Sequence, residues 1–97
     1  MEDALAFEVP DSIMTSPSEA GGVLLLDAAT QRYCVLNETA AFLWAEIERG
    51  STVQQMTTAL CRTFVVDHDI ARKCVLNTIA SLEERSLVSR LPKEHKP

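Results

Sequence analysis

The sequence predicts an α+β domain in which a three-stranded antiparallel sheet is followed by three helices. Two observations carry this expectation. Apolar residues recur with a period near two as far as residue 36 and with a period near 3.6 from residue 37 onward. Backbone punctuation falls between the segments, with Pro10, Gly21-Gly22 and Gly50 at the breaks and Asn37 and Asp67 suited to opening helices.

In chain order, Ala6-Phe7-Glu8-Val9 alternates apolar and polar residues up to Pro10, which brings no N–H to a ladder, so a short first strand should end there. Ser12 to Ala20, with Pro17 and several small polar residues, reads as a connection in which Ile13-Met14 has room for an extended piece. Val23-Leu24-Leu25-Leu26 is an apolar run of strand length, and Asp27-Ala28-Ala29-Thr30 suits a hairpin loop. The third strand is Gln31-Arg32-Tyr33-Cys34-Val35-Leu36, whose tyrosine, cysteine and valine fit a pleated, half-buried surface. Pairing in chain order leaves this strand at an edge, where its outward N–H and C=O groups can receive another chain.

Asn37 should cap the first helix, which places Ala40, Leu43, Trp44 and Ile47 on one face. Gly50 offers the left-handed conformation that ends it. Ser51 and Gln54 fit a capping box for a second helix presenting Val53, Met56, Leu60 and Phe64. Asp67 is the expected N-cap of a third helix reaching about Arg85, with Asp69 near the positive end of its dipole. Ala71, Val75, Ile79 and Leu82 form its core stripe, and Ile70, Cys74, Asn77 and Ser81 form a mixed stripe beside it. Beyond Leu87-Val88, residues 89 to 97 read as a mobile tail.

A chain of 97 residues fits one domain over 1–97, with an ordered core at about 5–89. With 46% hydrophobic and 24% charged residues the composition is that of an ordinary globular protein. It has no apolar run of about 18 residues to span a membrane. The acidic start, Met-Glu-Asp, is unlike a secretory signal, so the cytoplasm is the expected location. Cys34, Cys61 and Cys74 are odd in number, without C-x-x-C spacing or histidines at ligand distance, so reduced thiols and no metal or other cofactor are expected.

The net charge is −5, and residues 1 to 48 hold nine acids against one base, Arg32, which leaves no uniform basic footprint for nucleic acid. No phosphate-binding loop, dinucleotide fingerprint, zinc-protease motif or nucleophile elbow is present. Neither His68 nor His95 is spaced to activate a thiol, and Glu83-Glu84 diverge on their helix. A non-catalytic binding role is the reading that remains.

Leu36-Asn37-Glu38-Thr39-Ala40-Ala41-Phe42-Leu43-Trp44 resembles the LN-x-T-[AG]-x-x-[IL]-W segment of the PqqD-like family. The likeness continues through Val53, Leu60, Asp67, Val75, Ile79, Leu82, Leu87 and Val88, from about residue 21 to 88. Cys74 and Ser86 depart from it, standing where the family often has Asp and Gly. The resemblance implies a winged-helix-like domain, a RiPP recognition element, that binds the leader of a ribosomally synthesised precursor peptide. The short free-standing form is similar to the leader-binding proteins of lasso-peptide biosynthesis, which deliver the precursor to a cysteine-protease-like leader peptidase. It implies an antiparallel leader strand added to strand 31–36 and flanked by the third helix.

With Leu36 facing the core, alternation puts Cys34 and Arg32 on the side of the third helix and Tyr33 and Val35 on the other. The expected site therefore runs along Gln31, Arg32, Tyr33, Cys34, Val35 and Leu36. Ile70, Cys74 and Asn77 join Cys34 in its floor, Lys73 and Ser81 stand at its rim, and Arg32 meets an acidic leader residue. Two other readings stand beside this one. A winged helix-turn-helix regulator would put the second and third helices on DNA, but Asp67 and Asp69 would meet phosphates and only about nine residues remain after Val88 for a wing. A dimerisation module would pair the open edge with its own copy.

Overall fold

The computed structural model describes residues 6–18 and 21–90. Its elements are β1 (Phe7–Glu8), β2 (Ile13–Pro17), β3 (Val23–Asp27), β4 (Arg32–Leu36), α1 (Glu38–Glu48), α2 (Val53–Phe64), α3 (His68–Glu84) and β5 (Ser89–Arg90). β2, β3 and β4 form an antiparallel sheet in that order, and three helices follow it, so the predicted class holds.

The membership of the sheet differs from expectation at its first strand. Residues 7 and 8 are extended, but they pair with β5 in a separate two-stranded ladder, Phe7 opposite Arg90 and Glu8 opposite Ser89. The sheet instead draws its outer strand from the segment read as a connection. The reason is exposure: only Ile13 in β2 is half-buried and the other four residues are exposed, so no alternation marks the strand. Pro17 is tolerated because it ends an edge strand. Ser89 and Arg90 likewise are not tail. Buried Leu87 and Val88 bring them alongside buried Phe7, and Arg90 Nε donates to Glu83 Oε2 at 2.8 Å. Residues 91–97 lie outside the described residues, as do 1–5 and 19–20.

The core sits between the inner face of the sheet and the helices. Leu25 and Leu36 meet Leu43, Trp44 and Ile47 of α1, Val53, Met56 and Leu60 of α2, and Ala71, Val75, Ile79 and Leu82 of α3. Each Leu, Ile, Val or Met among them contributes about 1.5–3 kcal/mol when fully buried. Trp44 is 2% exposed, and its Nε1 has no hydrogen-bond partner among the described residues. The ring is held by packing alone.

Local chemistry sets the helix ends. Asn37 Oδ1 accepts from Ala40 N at 2.8 Å, and Asp67 Oδ2 accepts from Asp69 N at 3.1 Å. Between α1 and α2 the box is Thr52 with Gln55, not Ser51 with Gln54: Thr52 Oγ1 accepts from Gln55 N and Gln55 Oε1 accepts from Thr52 N. Ser51 is already engaged at the end of α1, where Gly50 N reaches Ile47 O and Ser51 N reaches Glu46 O, both at 3.0 Å. This is a Schellman closure, and it moves the next cap one residue along. α3 closes the same way, with Ser86 N on Glu83 O and Leu87 N on Leu82 O. Ser86 holds the left-handed position there, at φ 61.

These contacts make two of the positive-φ glycines unequal. Gly22 and Gly50 both have positive φ, +88 and +86, but a Cβ on Gly22 would overlap the Leu36 carbonyl oxygen, whereas nothing lies within 4 Å of one on Gly50. Gly50→Ala should cost only the left-handed penalty of about 1–2 kcal/mol. Gly22→Ala should cost markedly more and part β3 from β4, as urea unfolding followed by Trp44 fluorescence would show.

The second prediction concerns acid. Asp27 is 8% exposed, and the Ser12 hydroxyl, donating at 2.9 Å, holds its carboxyl below the ordinary value of 3.8, helped by N–H groups of Ala29 and Thr30 and opposed by burial. A depressed folded value stabilises fully above the unfolded one and fades as pH falls through the folded one. Ser12→Ala should therefore be less stable than the natural chain at pH 7, and the two should converge on acidification below 3.8. Unfolding midpoints measured against pH check this.

Candidate functional site

The open side of β4 can be read from backbone parity. Ala28 N donates to Ser12 O at 3.0 Å and Ser18 N to Gly22 O at 3.2 Å, so the even-numbered residues of β3 turn their backbone groups toward β2. Val23, Leu25 and Asp27 consequently face β4, where they stand opposite Leu36, Cys34 and Arg32. Neighbouring residues of a strand point their backbone groups to opposite sides, which leaves Tyr33 and Val35 with N–H and C=O directed away from the sheet. No strand pairs with that edge among the described residues. The side chains alternate as expected: Leu36 is buried and Cys34 half-buried on the core side, while Tyr33 and Val35 are 73% and 59% exposed.

α3 faces this edge across a groove and scarcely approaches β4 itself. A cavity of about 290 Å³ lies between them, lined by Cys34, Val35, Leu36, Asn37 and Ala40 on one side and Asn77, Thr78, Ser81, Leu82 and Arg85 on the other. A second, of about 450 Å³, adjoins it at the β3–β4 turn and is lined by Asp27, Thr30, Arg32, Tyr33, Cys34, Arg85, Ser86 and Leu87. Arg85 borders both, and its Nη1 donates to Cys34 Sγ at 3.1 Å. The start of β4 is thus near the end of α3, and the two run in opposite directions.

That course decides which expected residues come together. Cys34, Val35, Leu36, Asn77 and Ser81 line the first cavity, and Arg32, Tyr33 and Cys34 the second. Gln31 sits in the turn at φ 61, its N–H on Asp27 O at 2.7 Å. Ile70, Lys73 and Cys74 border neither cavity. They lie on the earlier half of α3, with Ile70 60% exposed. Asn37, Ala40, Thr78, Leu82 and Arg85 are wall residues that the sequence reading missed. Spacing alone gave the mixed stripe of α3 but not the direction in which it passes β4. An antiparallel course would have pointed to 77, 81 and 85, one helical turn apart.

Among the described residues, no cluster of His, Cys, Asp and Glu is arranged to hold a metal ion, and no helix is long and apolar enough to cross a membrane. The three cysteines are free thiols. At the α2–α3 turn, where a DNA-reading helix would begin, stand Asp67 and Asp69 with exposed Val65 and Ile70.

Two solved structures share this architecture. The first is TbiB1 in complex with the TbiA(beta) leader peptide, 18% identical, with a TM-score of 0.76 over 93% of this chain and 99% of that one. The second is a lasso peptide synthetase B1 complexed with the leader peptide, 24% identical, with a TM-score of 0.76 over 89% and 98%. At these identities the likeness shows a common fold. No curated protein matches the chain in sequence. Residues 22–88, which span β3, β4, all three helices and the groove, match the family described as coenzyme PQQ synthesis protein D, and the chain belongs to this PqqD family.

Proposed function

We propose that this protein is a receptor for the leader segment of a ribosomally made precursor peptide, in the service of lasso-peptide biosynthesis, and that it works in the cytoplasm as a single domain without catalysing a reaction. The observation that carries the reading is the outward-turned backbone of Tyr33 and Val35 at a border that no strand pairs with among the described residues, with a cavity between that border and α3. The proteins it resembles in fold are complexes with leader peptides, which supports the same reading.

Tyr33 and Val35 together present two N–H and two C=O groups, enough for four backbone hydrogen bonds to an added strand. At about 0.5–1.5 kcal/mol net each, these roughly balance the cost of about 2–5 kcal/mol for ordering a disordered segment. Backbone pairing therefore positions a guest without selecting it. Selection rests with side chains entering the cavity, each apolar one contributing about 1.5–3 kcal/mol on full burial. The small residues Ala40, Thr78 and Ser81 leave that volume empty in the chain itself. Delivery to a cysteine-protease-like leader peptidase is the step that such a receptor serves: holding the leader raises the effective concentration of the cleavage site at the enzyme.

Parity supplies the test. The Val35 N–H points outward, so Val35→Pro removes a bond to the guest and none to β3, whereas Cys34→Pro would break the ladder that holds the sheet. Val35→Pro should stay folded by circular dichroism yet bind its precursor's leader at least tenfold more weakly in fluorescence anisotropy. Ser81→Trp, which fills the cavity, should weaken binding by a similar factor. Full affinity in both folded variants would sink the groove reading. For the delivery step, adding the protein should lower the peptidase KM for the whole precursor and leave a leaderless substrate unaffected. An unchanged KM for the precursor would remove the step.

A further inference from the structure

The second cavity contains a charge arrangement that the groove reading leaves unused. Among the described residues Arg32, the sole base in residues 1 to 48, has no ionic or hydrogen-bonding partner, and Arg85 meets only the Cys34 thiol. A neutral sulfur is a weak acceptor for a guanidinium with five donors. The carboxylate in the same cavity, Asp27, is already engaged by the Ser12 hydroxyl and the Ala29 N–H. Glu83, next to the end of α3, is held by Arg90. Two arginines thus line a cavity of about 450 Å³ whose one carboxylate already has donors, although the chain as a whole carries −5.

We infer that this cavity is a carboxylate subsite, in which Arg32 and Arg85 grip an Asp or Glu side chain of the guest strand on the C-terminal side of its apolar anchor. The inference rests on the reading of β4 as a strand receptor and adds to it the guest's chemistry and direction. A guest antiparallel to β4 enters beside Leu36 and leaves beside Arg32, so it crosses the less charged cavity first and the arginines second. Side chains on one face of a strand recur every second residue, about 6.8 Å apart. The first cavity takes in positions 34 to 37 of this stretch and the second positions 32 to 34, an offset of two to three residues along β4. The acid therefore falls two positions after the anchor. The Asp27 carboxylate and the negative end of the α3 dipole oppose an anion here, but the last carbonyls of α3 are capped by Ser86 N and Leu87 N, and two full cationic charges outweigh one full and one partial negative charge. Loss of the weak Arg85–Cys34 contact frees the guanidinium for bidentate binding.

The test displays a library of random peptides to the full chain and sequences those retained. Retained peptides should carry Asp or Glu two positions C-terminal to a large apolar residue, and changing that acid to its amide should weaken binding about tenfold at low salt and less at high salt. Arg32→Gln and, separately, Arg85→Met should abolish most of the acid-to-amide difference, read as the ratio of the two peptides' affinities within each variant. Two results would overturn the inference and spare the groove: peptides with an apolar anchor, sensitive to Val35→Pro, that show no acid preference, or an acid preference that survives both arginine substitutions. An acid on the N-terminal side of the anchor would overturn the assigned direction. Retained peptides indifferent to Val35→Pro would take down the groove and the subsite together.

Discussion

The junction between β4 and α1 is the constraint on which the working surface depends. Leu36 is fixed from three directions at once. Its side chain is in the core, its carbonyl oxygen lies so close to Gly22 that no side chain fits between them, and the next residue, Asn37, caps α1 through Ala40 N. α1 is held in turn by Leu43, Trp44 and Ile47, all buried. The strand therefore cannot tilt toward α3 to close the groove, nor can α1 roll away without exposing Trp44. An edge available to a guest must resist collapse onto its own chain, and here the core supplies that resistance.

The two borders of the sheet are treated differently. β2 carries Thr15, Ser16 and a terminal Pro17, residues that blunt an edge by polarity and by a missing N–H. β4 has no proline, and exposes Tyr33 and Val35 beside its outward backbone groups. Of two edges in one small sheet, only the one overlooked by α3 keeps the features that invite strand addition. The same contrast weakens a simple dimerisation reading, because a second copy seated on β4 would also have to fit its own β4 side chains against the α3 wall.

Much of this was legible in the sequence because it rests on local periodicity and on residues with one strong conformational use. β3, β4 and the three helices were found from apolar spacing, and Asn37, Gly50 and Asp67 from their roles at helix ends. What escaped depended on tertiary partners. β2 lacks an apolar face because it is an exposed edge, and β1 pairs with β5 across nearly the whole chain. The Thr52 cap displaced the Ser51 one because the preceding Schellman closure had already taken the Ser51 N–H. For the candidate site, Arg32 to Leu36, Asn77 and Ser81 reach the groove, whereas Gln31 stays in the turn and Ile70, Lys73 and Cys74 border neither cavity, since which turn of α3 faces β4 is a matter of helix placement that no repeat in the sequence encodes. The Cys74 departure from the family pattern consequently lies away from both cavities.

This placement divides the work between two faces of one helix. Val75, Ile79 and Leu82 anchor α3 to the core, while Asn77 and Ser81 are exposed and Thr78 half-buried along the groove. Substitutions at exposed positions typically change stability by no more than about 0.5 kcal/mol, far less than core changes. The shape and polarity of the groove wall can therefore change without loosening the fold, while the β4 backbone goes on offering the same hydrogen bonds to any extended guest. In the proposed receptor, strand addition is the general element and the exposed turns of α3 the particular one.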